Sequence, residues 1–274
     1  MQRSLYAVGA AAVVGAASIA APATAAETPA VASLSVLHGV PDLTVDVYVN
    51  GALTLDDFAP GELAGPLELP AGAYQLAVTA ADAADASAPL IGPVDVNLAA
   101  GGNYTATANL DAEGNPTANF YTNDLSTVEA GKTRVTVRHV AAAPAVDVLA
   151  GGAPILQNLS NPGEASLTTD AGTVSASVAA TGTTAPVIGP ADLTLPEGTS
   201  TIVYAWGSLE AGNLALATQV IEGLHSAPGA VPGGQSGLAA EDDNGAAVGI
   251  GAFLLVLLGG AAAASRRRAV RVSS

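Results

Sequence analysis

Thr44-Val45-Asp46-Val47-Tyr48-Val49-Asn50-Gly51 alternates apolar and polar side chains with a period of two, then supplies a turn. Val45, Val47 and Val49 fall on one face of an extended chain, and Thr44, Asp46 and Tyr48 on the other, which predicts a half-buried strand. Asn50-Gly51 is a strong hairpin signal, because both central positions of a type I′ turn need positive φ. The turn should lead into a partner strand at Ala52-Leu53-Thr54-Leu55. Upstream, Leu34, Val36 and His38 share a face of an earlier strand, and His38 stands eight residues before Asp46.

The same phrase returns. His139 stands eight residues before Asp147 within Ala145-Val146-Asp147-Val148, an offset of 101 from the first copy. Ala88-Pro89-Leu90-Ile91-Gly92-Pro93 recurs as Ala185-Pro186-Val187-Ile188-Gly189-Pro190, an offset of 97. A unit of roughly a hundred residues has therefore been duplicated with small deletions. Within the first unit, strands are expected at Tyr74–Val78, Val94–Leu98, Tyr104–Ala108 and Asn119–Tyr121, separated by Pro-Ala-Gly, Gly-Gly and Asn-Pro turns. In the second, Arg134–Val137 and Ile202–Trp206 fill the first and late strand positions. Seven or so short strands per unit predict an all-β chain of two tandem antiparallel β-sandwich domains. Alanine is abundant, but Gly and Pro interrupt every run that could become a helix within the repeats.

The organisation that follows is a signal peptide at 1–25, a linker at 26–32, a sandwich at 33–124, a linker at 125–132 and a second sandwich at 133–224. A flexible stalk at 225–244, a transmembrane helix at 245–264 and a basic cytoplasmic tail at 265–274 complete it. Asp124 to Gly131 is too short for a free tether, so the two domains are expected end to end. Arg3, the apolar run Leu5–Ala21 and the small residues Ala23-Thr24-Ala25 carry the export reading, with cleavage near Ala25. Twenty uncharged residues at 245–264 reach about 30 Å as a helix, and Arg266-Arg267-Arg268 behind them places the tail inside. The expected location is the cell membrane, single-pass, with both domains outside. No Leu-Pro-x-Thr-Gly sorting motif precedes the apolar run, so retention as an anchored protein is favoured.

All 24 acidic residues lie between Glu27 and Asp243, against only Lys132, Arg134 and Arg138, leaving a charge of −21 on that span. Such a surface repels nucleic acid, whose binding needs positive charge to release counterions. There is no cysteine, which removes disulfides, thiol catalysis and thiolate metal sites together.

The His-ended first strand, Val45-Asp46-Val47-Tyr48-Val49, Asn50-Gly51, Pro70-Ala71-Gly72-Ala73-Tyr74 and Leu98-Ala99-Ala100-Gly101-Gly102-Asn103-Tyr104-Thr105 together resemble the bacterial domain of unknown function 4397. The likeness runs over both units and is weaker in the second, where Leu149 replaces Tyr48 and Gly151-Gly152 replaces Asn50-Gly51. The resemblance implies exported or surface-anchored bacterial proteins with tandem immunoglobulin-like domains, and the Ala/Gly/Val-rich composition suits a high-GC Gram-positive bacterium. It implies no catalytic residues.

His38 with Asp46, and His139 with Asp147, are the candidate chemistry. An imidazole beside a carboxylate could act as a base or hold a metal. No nucleophile or oxyanion donor accompanies either pair, so a structural role is favoured. Asp56, Asp57 and Glu62 are the nearest approach to an ion cluster, without the spacing of a calcium loop. Gly234-Gln235-Ser236-Gly237 misses the nucleophile-elbow pattern. Trp206 reads as a core residue rather than a sugar platform. His225 has no evident partner. Gly245 and Gly249, four apart, are compatible with helix pairing and hence self-association. The expectation is a non-enzymatic surface protein without catalytic residues, cofactor or dedicated metal, binding an unknown surface ligand or envelope component. A carbohydrate- or divalent-cation-binding module is the alternative, and a hydrolase the third reading.

Overall fold

The computed structural model describes residues 30–226, all of them strand, turn or irregular. The first half holds β1 (Val31–Gly39), β2 (Val45–Val49), β3 (Ala52–Phe58), β4 (Leu63–Pro70), β5 (Gly72–Ala80), β6 (Ile91–Leu98), β7 (Asn103–Leu110) and β8 (Pro116–Thr122). The second holds β9 (Lys132–His139), β10 (Val146–Ala150), β11 (Ala153–Leu159), β12 (Glu164–Asp170), β13 (Gly172–Ala180), β14 (Pro186–Leu195), β15 (Ser200–Trp206) and β16 (Ala215–Ile221). The expected export segment, stalk, membrane helix and tail fall outside the described residues, apart from the stalk's first two positions. Among the described residues no helix is long and apolar enough to cross a membrane.

Each half is two four-stranded sheets. The orders β4-β1-β7-β8 and β3-β2-β5-β6 become β12-β9-β15-β16 and β11-β10-β13-β14 when eight is added to every strand number. Even the one parallel pairing per half recurs, β1 with β7 and β9 with β15. The duplication seen in two short motifs thus extends to the whole strand plan. The tight hairpin after β2 is as expected: Asn50 and Gly51 have φ of 50° and 77°, and Gly151 and Gly152 have 56° and 84°. β4 and β12 were not expected. Both are edge strands, and β4 tolerates Pro66 and Pro70 because an edge leaves backbone positions free of ladder bonds.

The halves are not arranged end to end. Sheets β4-β1-β7-β8 and β12-β9-β15-β16 face one another, so four sheets stack in layers. One apolar core lies within the first sandwich, around Leu34, Val36, Val47, Val78, Leu98 and Tyr104. A second lies within the other, around Val135, Val137, Val148, Val178, Leu195 and Val203. A third, built from Leu37, Tyr121, Val140, Ile202 and Tyr204, joins the two inner sheets. The inner strands are therefore buried on both faces: β7 and β9 are buried at every residue but the first. Their polar alternates do not meet water. Thr105 donates to Gln219 Oε1 at 3.0 Å, and Gln219 Nε2 donates to Ser35 Oγ at 3.1 Å. The period of two holds, but its second face is an interface.

Candidate functional site

The duplicated aspartates sit at matched defects in the strand ladder. Between Val45 and Val47 the pairing with β3 slips by one residue, so Asp56 and Asp57 bulge opposite Asp46. Asp57 has φ of 51°, and its amide donates to Asp46 Oδ1 at 3.0 Å. The second half repeats this: Gln157 and Asn158 bulge opposite Asp147, Asn158 has φ of 56°, and its amide donates to Asp147 Oδ1 at 2.8 Å. Gly182 N–H adds a bond to Asp147 Oδ2 at 2.9 Å. These two amides hold the Asp147 carboxyl below the usual range. A bulge leaves an extra residue unpaired, and the buried carboxylate takes up its amide.

Ile-Gly-Pro, the other repeated phrase, also builds a bulge. Gly92 and Gly189 interrupt the β5–β6 and β13–β14 ladders with φ of 92° and 86°. A Cβ there would stand 2.8 Å from Leu76 O and 2.9 Å from Ala176 O, so only glycine fits. Both motifs that expose the duplication mark positions where the sheet bends.

The histidines face their own loops. His38 Nε2 donates to Leu43 O at 2.6 Å, and its ring stacks on Phe58 with centroids 5.8 Å apart. His139 Nε2 donates to Pro144 O at 3.0 Å while its Nδ1 accepts from Ala141 N–H at 3.3 Å. That pair of bonds defines the neutral Nε2–H tautomer. Burial lowers both imidazole pKa values, partly offset by these carbonyls. His38 and Asp46 stand on strands of different sheets, as do His139 and Asp147, and no bond joins either pair. Each residue is spent on closing the chain around its own strand end.

Of the expected acidic cluster, the structure gathers Asp56 and Asp57 with Asp46, their nearest carboxylate oxygens lying within 4.8 Å of one another. Glu62 is not in this group; its Oε2 accepts from Ala59 N–H at 3.0 Å. A Mg²⁺ or Ca²⁺ ion prefers six or more oxygens, so this group is half a shell at most. The second half builds the same bulge with Gln157 and Asn158, without extra carboxylates.

Sequence reasoning passed over the residues that join the halves. Arg138, 1% exposed, donates through Nε to Glu164 Oε2 at 2.8 Å, through Nη1 to Tyr204 OH at 2.9 Å and through Nη2 to Asn123 Oδ1 at 2.8 Å. Its guanidinium also lies 4.2 Å from the Tyr121 ring centroid. Tyr204 OH in turn donates to Gln219 Oε1 at 2.6 Å. The signal was present: Lys132, Arg134 and Arg138 are the only cations of the acidic span, and all three lie on β9, each paired with a carboxylate. Arg134 further clamps the linker through Asp124 O and Ser126 O. Trp206 packs on this seam against Gly61 and Gly39 of the first half, half-buried rather than set in a sandwich core. His225 has a partner after all, its ring filling the space beside Gly198.

The chain has no match among curated proteins. Residues 32–149, which run from β1 through the whole first sandwich to β10 of the second, match the model of the family described as Domain of unknown function (DUF4397).

Proposed function

We propose that the chain is a non-enzymatic surface protein whose double sandwich presents loops and strand edges for interaction in the cell envelope. One observation carries this reading: every polar residue that the duplication singles out is engaged by backbone at a bulge or a strand end. His38, Asp46, His139 and Asp147 face four separate structural tasks and converge on no common point where a substrate atom could sit. The polar seam between the inner sheets is likewise closed by its own hydrogen bonds, apart from Trp206 Nε1, which is buried without a partner. What remains outward is loops and outer-sheet faces with many acids and few cations, a surface suited to selective contact. We read the sandwiches as immunoglobulin-like and the second half as a further copy of the family domain, on the strength of the matched strand orders. Export and anchoring rest on Arg3 with its apolar run and on the 245–264 segment with its arginines.

A second reading, divalent-cation binding, is favoured by the Asp46, Asp56 and Asp57 carboxylates and weakened by their loss in the second half. Both are tested by binding of residues 26–244 to isolated cell walls with and without chelator. Saturable binding unaffected by chelator supports the interaction reading; loss of binding in chelator and in Asp56→Asn/Asp57→Asn supports the cation reading. Absence of saturable binding to walls and to envelope proteins sinks the first proposal.

A further inference from the structure

The two sandwiches are matched strand for strand, yet their interiors are not equally filled. Between the sheets of the second lies a cavity of about 420 Å³, walled by Val135, Val137, Val178, Leu193, Leu195 and Val203. The equivalent space in the first amounts to about 30 Å³.

Register explains the difference residue by residue. Tyr104 pairs with Leu34 on β1, and Thr201 pairs with Val135 on β9, so Thr201 occupies the place of Tyr104. Phe120 pairs with Ala106, and Thr218 with Val203, so Thr218 occupies the place of Phe120. By the same matching Val174 replaces Tyr74, Ala176 replaces Leu76, Ala191 replaces Val94 and Ala150 replaces Val49. In the first sandwich Tyr104 and Phe120 stack with centroids 5.2 Å apart and pack into its core. The second sandwich has no aromatic at either place. Leu193 for Val96 and Leu216 for Ala118 return only part of the lost volume.

We infer that the second sandwich is a receptor for an uncharged, elongated hydrocarbon ligand of medium chain length. This stands apart from envelope attachment, which uses the outside of the molecule. The size is in the range of small-molecule sites, and interiors otherwise pack without such voids. The space holds about 14 water-sized groups at about 30 Å³ each, the bulk of a chain of similar length. Its walls are mostly apolar, with hydroxyls such as Thr169, Ser177 and Thr218 in the minority, so water gains little there and an apolar molecule gains dispersion contact on most sides. Two sheets about 10 Å apart shape the space as a slot, which suits a chain or a flat molecule. Half-exposed Val174 and Leu193 and exposed Ile155 line it as well, so the cavity opens to solvent near the β12–β13 turn and the β11 edge. The rim selects against anions. Asp170 and Asp192 border it, both exposed, and the one cation beside them, Lys132, is bound to Asp170 at 2.7 Å. A carboxylate or phosphate head would meet like charge, whereas an alcohol, ester or amide head would not.

The test uses the full chain in lipid nanodiscs, titrated with the neutral fluorescent probe N-phenyl-1-naphthylamine. Ala176→Leu/Thr218→Phe, which restores first-sandwich residues to the second, is the comparison; both samples carry the same lipid, so partition into the bilayer cancels. The inference expects saturable one-to-one binding to the wild type and at least a tenfold loss in the filled variant. Dodecanol should displace the probe at least tenfold better than dodecanoate. Should the filled variant not melt cooperatively, Ala191→Leu serves in its place. Wild-type binding no greater than the filled variant's overturns the inference, as does preference for dodecanoate. Saturable binding unchanged by either filling substitution places the probe elsewhere and overturns it as well.

Discussion

The first sandwich is closed by a stacked Tyr104–Phe120 pair, whereas the second, built on the same eight-strand plan, carries Thr201 and Thr218 at those positions and holds a cavity. The bulges at Asp46 and Asp147 and at Gly92 and Gly189 are shared, as are the hairpins and parallel pairings, whereas the shift between Leu34 and Val36 in β1–β4 has no counterpart in β9–β12. The strand plan therefore depends on where the backbone must bend, which the repeated Asp and Gly positions decide, and hardly at all on what fills the core. The inner sheets teach the same lesson from the other side. Leu37 of β1 and Arg138 of β9 are matched positions, one apolar and one cationic, and both are fully buried at the seam.

The sharpest way to break this correspondence is at that seam. Arg138→Ala leaves the buried Asn123 and Tyr204 oxygens without their donor, at about 1–3 kcal/mol for each, while the exposed Glu164 turns to water. Urea unfolding should show that loss and split into two transitions as the sandwiches uncouple; a single transition at the wild-type midpoint would count against the seam. Next comes the core. Leu76→Ala gives the first sandwich the alanine of the second and should cost about 2–4 kcal/mol, whereas Ala176→Leu should gain about 0.5–2 kcal/mol. Equal losses at both sites, measured by thermal unfolding, would mean that the second core has no room to fill. Gly92→Ala and Gly189→Ala should each cost about 1–3 kcal/mol, by similar amounts, since each drives a Cβ toward a carbonyl at positive φ. Unequal costs would show that the two bulges are not the same device.

The smallest effect concerns pH. Burial lowers the pKa of His38 and His139, so the unfolded chain takes up protons first on acidification. Their contribution to stability is present in full above about pH 6.5 and declines as pH falls through that unfolded-state value toward the folded ones. Melting temperatures between pH 8 and 5.5 should fall more steeply in the wild type than in His38→Gln/His139→Gln. An equal slope in both would remove the histidines from the account.

Much of this was legible in the chain. The alternation from Val45 to Val49, the Asn50-Gly51 turn and the two offsets reported strands, a hairpin and a duplication, because each depends on neighbours a few residues apart. The layered stacking was not legible. Ser35 and Thr105 look like a solvated face, and only their shared partner across the seam, Gln219, shows otherwise. The edge strands β4 and β12 were missed because Gly65 and Pro66 in β4 argue against a strand where no neighbour is required, and β12 is small and polar. Asp46 was visible as a repeat but its role was not, since the bulge that explains it lies eleven residues downstream. The cavity depends on matched positions that become comparable only once strand register is known.

Native-state hydrogen exchange under hydrostatic pressure tests the contrast between the two cores most directly, because pressure favours states that eliminate internal voids. The outer-sheet strands β5 and β13 are matched and each rests on its own core. The account predicts that amides of Ala176–Ala179 lose protection at distinctly lower pressure than those of Leu76–Thr79, and that Ala176→Leu/Thr218→Phe closes the gap. Loss of protection at the same pressure in both, or first in β5, would contradict it.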